Sequence, residues 1–74
     1  MDDSFKPNLT PRQLRILQLA ADDQPYDSIA VKLEPPTSEK TVKTQMALIR
    51  QQFGARTRIG AVLEAVKRGV IRLE

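Results

Sequence analysis

The run from Ser38 to Gly54 constrains the chain more than any other stretch. Ser38 is a residue that caps helix starts, and Glu39 behind it puts a negative charge in the first turn, where the helix dipole favours it. Gly54 is suited to the left-handed position that stops a helix. Between them Val42, Met46, Ile49 and Phe53 recur at spacings of four, three and four, which is one stripe of a helix. Lys40, Lys43, Thr44, Ala47, Arg50 and Gln51 fall largely on the other side. The pattern predicts a helix over 39–53 with one face for a core and another for a polyanion.

Such a helix needs a platform, and the flanking sequence supplies three more helical segments. Thr10, Pro11 and Gln13 predict a helix start with a reciprocal capping box, and Leu9 can close over Leu14 as a hydrophobic staple. Leu14, Leu17 and Ala21, widened by Ile16, Leu19 and Ala20, give a helix over about 11–22 with Arg12, Arg15 and Gln18 on its wet face. Asp22-Asp23-Gln24-Pro25 ends it. A second, short helix over about 25–33 has Pro25 as its first residue and Ile29, Ala30 and Leu33 as its inward face. Glu34-Pro35-Pro36-Thr37 then forces the backbone out of the helical region, making a stiff turn. After the basic loop Arg56-Thr57-Arg58, Ala61, Val62, Ala65 and Val66 predict a fourth helix over about 58–68, stopped by Gly69. Val70 to Glu74 is expected to lie against the domain. Residues 1–8 lack periodicity and are expected to form a flexible tail, with Phe5 able to pack onto the domain. Residues 9–74 form the domain.

Composition narrows the function. A chain of 74 residues buries only about 60% of its unfolded surface, leaving little room for an enzyme cleft. It contains no Cys and no His, which removes thiol nucleophiles, imidazole bases and thiolate or imidazole metal sites. The acidic pairs Asp2-Asp3 and Asp22-Asp23 lie in the tail and at a helix end, and no nucleophile–base arrangement is visible. No enzyme and no cofactor are expected. No apolar run approaches the roughly 20 residues of a membrane span, and the acidic N-terminus is unlike a signal peptide. A cytoplasmic protein is the simplest expectation. Charge is divided along the chain: residues 1–39 carry four basic and seven acidic side chains, net −3, and residues 40–74 carry eight and two, net +6. A positive field concentrated from Lys40 onward favours a polyanionic partner and steers its approach.

A short helix, a tight turn and a longer helix form the layout of a helix-turn-helix, whose second helix enters the DNA major groove. Leu9-Thr10-Pro11-Arg12, Ile29-Ala30 with Leu33, the run Ser38-Glu39-Lys40-Thr41-Val42-Lys43-Thr44, Phe53-Gly54-Ala55, and Arg58 with Ala61-Val62 closely resemble the LuxR/FixJ/GerE-type helix-turn-helix. That pattern opens with Leu-Thr-Pro-Arg-Glu and starts its recognition helix with Ser-Glu-Lys-Thr-Val-Lys-Thr-His. The resemblance runs from about residue 9 to about residue 71, and the Ser38–Thr44 run between two helices is its specific part. It departs from the pattern in four places. Glu34-Pro35-Pro36-Thr37 gives four residues where two are usual, Gln45 replaces the common His, Ala47 replaces a polar or basic residue, and Pro25-Tyr26-Asp27-Ser28 replaces a Ser-Asn-Lys-Glu run.

The resemblance implies an all-α, four-helix DNA-binding module of bacterial transcription regulators, acting on double-stranded DNA. It assigns Lys43 and Thr44 to base edges and Lys40 and Thr41 to positions near the backbone. Gln45 can donate to a phosphate and Ala47 can meet a thymine methyl. Lys40, Lys43, Arg50, Arg56 and Arg58 would supply the counterion-releasing contacts. One such helix spans few base pairs, so a homodimer on paired half-sites is expected, joined through helix four at Val62, Leu63 and Val66. RNA polymerase or a related regulator is a further partner the resemblance allows. No signal-receiving domain precedes the module, so the expectation is either a regulator without such an input or a domain of a longer one. The alternative is a protein-interaction module that pairs with a related regulator and inhibits it, using Leu48, Leu63, Val70 and Ile71 as apolar surface.

Overall fold

Thr10 opens the first helix as its neighbours predict. Its hydroxyl accepts from Gln13 N–H at 3.0 Å, while Gln13 Oε1 accepts from Thr10 N–H at 3.0 Å, so two otherwise unpaired donors are satisfied reciprocally. From this start the computed structural model, which describes residues 8–73, runs through four helices: α1 (Pro11–Ala21), α2 (Tyr26–Lys32), α3 (Glu39–Phe53) and α4 (Arg58–Lys67). Helix number, order and type match the expectation, and no strand occurs among the described residues. The tail and Phe5 lie outside the described residues, apart from exposed Asn8.

The helix ends differ from the expected bounds for local reasons. Asp22 caps α1 instead of extending it, and Asp23 turns left-handed at φ 62. The Asp23 N–H then reaches Ala20 O at 3.0 Å and Gln24 N–H reaches Leu19 O at 3.3 Å. These bonds occupy carbonyls that the helix end leaves unpaired, and Asp is among the few residues that enter this region at small cost. Pro25 is the N-cap of α2, not its first residue, and Leu33 is already extended at its far end. Gly54, at φ 66, closes α3 with the same bond pattern: its N–H donates to Gln51 O and Ala55 N–H to Arg50 O. Arg68 caps α4, so that helix ends at Lys67.

One apolar core lies under α3. Val42, Met46, Ile49 and Phe53 are all buried, as their spacing predicts, and α3 packs against α1, α2 and α4. From α1 come Ile16, Leu17, Leu19 and Ala20; Leu14 and Ala21 are only half-buried, so the inward face is rotated from the expected stripe. Ile29, Ala30 and Leu33 close the core from α2, and Ala61, Val62 and Ala65 from α4. The C-terminal segment lies against the domain. Ile71 is buried, and Gln18 Nε2 donates to Arg72 O at 2.8 Å.

The four-residue turn before α3 is folded onto its surroundings. Thr37 N–H donates to Ala30 O at 3.0 Å, and Arg12 Nη2 reaches from α1 to Pro35 O at 2.7 Å. The Glu34–Pro35 peptide is cis. The two additional residues are therefore accommodated within a turn bonded to both α1 and α2.

Arg58 braces the opposite end of α3's cradle. Its Nη2 donates to Gln24 O and, at 3.4 Å, to Ala20 O, and its guanidinium lies 4.8 Å from the Tyr26 ring centroid. One side chain at the start of α4 thus ties the end of α1 to the beginning of α2. Arg58→Met should lower unfolding free energy by about 1–3 kcal/mol, because charged hydrogen bonds to partly buried carbonyls are lost. Urea denaturation measures this, and an unchanged midpoint would contradict the brace.

Candidate nucleic-acid interface

The outer face of α3 follows from its inner one. With Val42, Met46, Ile49 and Phe53 turned into the core, the period of 3.6 residues carries Lys40, Thr44, Ala47 and Gln51 to the opposite side. Lys40, Thr44 and Gln51 are exposed and Ala47 is half-buried. Lys43 stands at the edge of this row. Its Nζ lies 3.4 Å from Glu39 Oε2, with both side chains more than half exposed, so the pair is a weak surface contact that leaves the ammonium available. Ser38 and Thr41 are occupied with each other at the helix start. Thr41 N–H donates to Ser38 Oγ at 3.1 Å and the two hydroxyls lie 3.0 Å apart.

The electrostatics of this face come from what is missing in the sequence. No acidic residue occurs between Glu39 and Glu64, while Lys40, Lys43, Arg50, Arg56 and Arg58 all fall in that interval. These five cations are not equivalent. Lys40, Lys43 and Arg56 are exposed. Arg50 is half-buried and donates to Arg56 O at 2.7 Å, folding the loop after α3 back onto the helix. Arg58 is the brace already described, and its donors face main-chain carbonyls. Gln45 is half-buried and accepts from Gln13 Nε2 at 2.9 Å, which links α3 to α1. The structure therefore gathers Lys40, Lys43, Thr44 and Ala47 on one surface, with Thr41 and Gln45 on its flank and Arg56 at its end. It directs Arg50 and Arg58 toward structural partners.

The proposed pairing face of α4 needs one correction and one addition. Val62 is 8% exposed and lies in the core, because it follows Ala61 in the turn that packs inward. Leu63 is 58% exposed and Val66 is half-buried. Ile59, not singled out from the sequence, is 70% exposed one turn before Leu63. Its i, i+4 spacing with Leu63 was the available signal. Leu48 on α3 is 43% exposed, whereas Ile71 is buried and Val70 is half-buried against the core. The alternative apolar surface made of Leu48, Leu63, Val70 and Ile71 therefore does not form as a set.

Among the described residues no group of three Asp or Glu side chains converges, and no helix is long and apolar enough to cross a membrane.

Comparison with known proteins bears on this arrangement directly. The family model of bacterial regulatory proteins, luxR family (GerE), matches residues 7–65. A solved structure of the transcription factor GerE superimposes with a TM-score of 0.82 at 33% identity, covering 89% of this chain and 96% of that one. No curated protein matches at comparable significance. The family match spans all of α1, α2 and α3 and most of α4, and the solved relative shares their arrangement. On these grounds the chain belongs to the luxR family of bacterial regulatory proteins.

Proposed function

We propose that the chain binds duplex DNA in a sequence-specific manner in the cytoplasm and regulates transcription, seating α3 in the major groove. The observation that carries this reading is the outer face of α3. Exposed Lys40, Lys43 and Thr44 stand on a helix whose opposite side is buried against three others, within a stretch that has no acid after Glu39 until Glu64. A rigid helix with exposed donors can enter a groove about 12 Å wide and present side chains to base edges. Lys43 and Thr44 would read bases there. Lys40, Thr41, Gln45 and Arg56 would hold phosphates, and the Ala47 methyl would lie against bases without donating to them. Likeness to a transcription factor supports the same reading.

The affinity of such a surface is dominated by counterion release and must be salt-dependent. Three exposed cations, Lys40, Lys43 and Arg56, give an expected slope of about −3 per protomer in log K against log [salt]. Lys43→Glu should weaken binding and flatten that slope by about 1. A salt titration of duplex binding by fluorescence anisotropy measures both. A slope near zero for the unaltered protein would remove duplex DNA as the partner.

Pairing of two copies through α4 completes the proposal, since one α3 covers only a few base pairs. Ile59 and Leu63, exposed one turn apart beside half-buried Val66, offer an apolar ridge on a helix whose other face is committed to the core. The same ridge would serve the second reading, in which this chain pairs with a related regulator and blocks it. Leu63→Glu should convert two-to-one protein–DNA complexes into one-to-one complexes in native mass spectrometry. Retention of the two-to-one species would place the pairing surface elsewhere.

A further inference from the structure

The side-chain amide of Gln13 is committed at both ends. Its Oε1 accepts from Thr10 N–H at 3.0 Å, and its Nε2 donates to Gln45 Oε1 at 2.9 Å. A backbone N–H can only donate, so the α1 cap decides which end of the Gln13 amide faces Thr10. The amide NH2 must then face α3. Gln45 has to meet it with its carbonyl oxygen, and its own NH2 is turned away from that contact. Among the described residues the Gln45 NH2 has no acceptor, although the side chain is half-buried and held. Exposed Thr41 and Leu48 neighbour it along α3, and exposed Thr44 precedes it.

We propose that Gln13 is a positioning residue for DNA binding: the cap of α1 fixes the Gln45 amide so that its NH2 donates to a phosphate oxygen of the duplex lying against α3. The inference rests on the DNA-binding reading above. A phosphate is acceptor-only, so the orientation of the amide decides the sign of the contact. With NH2 outward the contact is a hydrogen bond to an anion, and with C=O outward it is a repulsion. An unheld glutamine would sample both orientations and would lose side-chain freedom on binding. The relay through Thr10 and Gln13 removes that choice before DNA arrives.

Gln13→Glu separates the relay from the cap. The carboxylate still accepts from Thr10 N–H, and Glu at this position suits both the capping box and the helix dipole, so the fold is kept. Its second oxygen cannot donate to Gln45, which must rotate its NH2 inward and its carbonyl toward the DNA. The test measures affinity for a duplex selected from a random pool by the unaltered protein, using Gln13→Glu, Gln45→Ala and the double variant, with urea midpoints alongside. The expected result is a loss of about tenfold for each single variant, as for removal of one hydrogen bond to a charged group. In the Gln45→Ala background, Gln13→Glu should change affinity by no more than about twofold, with the urea midpoint of Gln13→Glu unchanged or raised. Equal losses in both backgrounds would mean that the added charge simply repels DNA and would overturn the relay, as would no loss in either. If the unaltered protein selects no duplex, the DNA-binding reading falls and the relay with it.

Discussion

Burial of one face of α3 is the constraint on which the other elements depend. Val42, Met46, Ile49 and Phe53 are all buried in the one core to which α1, α2 and α4 also contribute, and α3 packs against each of those helices. Each such side chain contributes about 1.5–3 kcal/mol when fully removed from water, a large share of the stability open to a domain this small. The consequence for function is direct. A helix that spends one side on the core has its other side defined to within the width of a residue. Lys40, Thr44 and Ala47 therefore face outward because Val42, Met46 and Ile49 face inward. A hydrophobic pattern in the middle of the chain sets the geometry of the cationic surface.

Apolar burial fixes the face of α3 but leaves its tilt and axial position to directional contacts. Those contacts sit at both ends. At the start, Arg12 holds Pro35 O and Thr37 N–H holds Ala30 O, so the turn ahead of α3 is bonded to two helices. Partway along, Gln13 holds Gln45. At the end, Arg50 gathers the following loop through Arg56 O, and Arg58 ties α4 to the α1–α2 connection. Several polar residues of this domain thus serve to aim α3. Cations of the same type divide accordingly: Lys40, Lys43 and Arg56 remain at the surface, while Arg50 and Arg58 are drawn into main-chain contacts.

Much of this was legible in the residues. The starts of α1 and α3 were marked by Thr10 and Ser38, whose hydroxyls each accept a bond from the backbone three residues on, as the Thr57 hydroxyl does from Gly60 N–H at the start of α4. The end of α3 was marked by Gly54. The family pattern around Ser38–Thr44 placed α3 correctly in the order of elements. What escaped depended on tertiary geometry. Asp23 carries no glycine signal for its left-handed turn. The phase of α4 could not be fixed from a stripe of small residues, so Val62 was assigned to pairing as well as to the apolar face, and Ile59 went unnoticed. Arginines are the clearest case. Nothing in the composition of Arg56-Thr57-Arg58 distinguishes the exposed guanidinium from the one stacked on Tyr26, because the carbonyls that capture Arg58 lie 34 and 38 positions away in the chain.

The central claim is that the outer face of α3 is the DNA surface of this domain. Backbone amide chemical-shift mapping of the isotope-labelled protein, titrated with a duplex that it selects from a random pool, tests it most directly. The account predicts that the largest shifts fall on Lys40, Lys43, Thr44 and Ala47, with smaller ones at Arg56. Shifts confined to the Ile59–Val66 face of α4, with α3 unmoved, would contradict it.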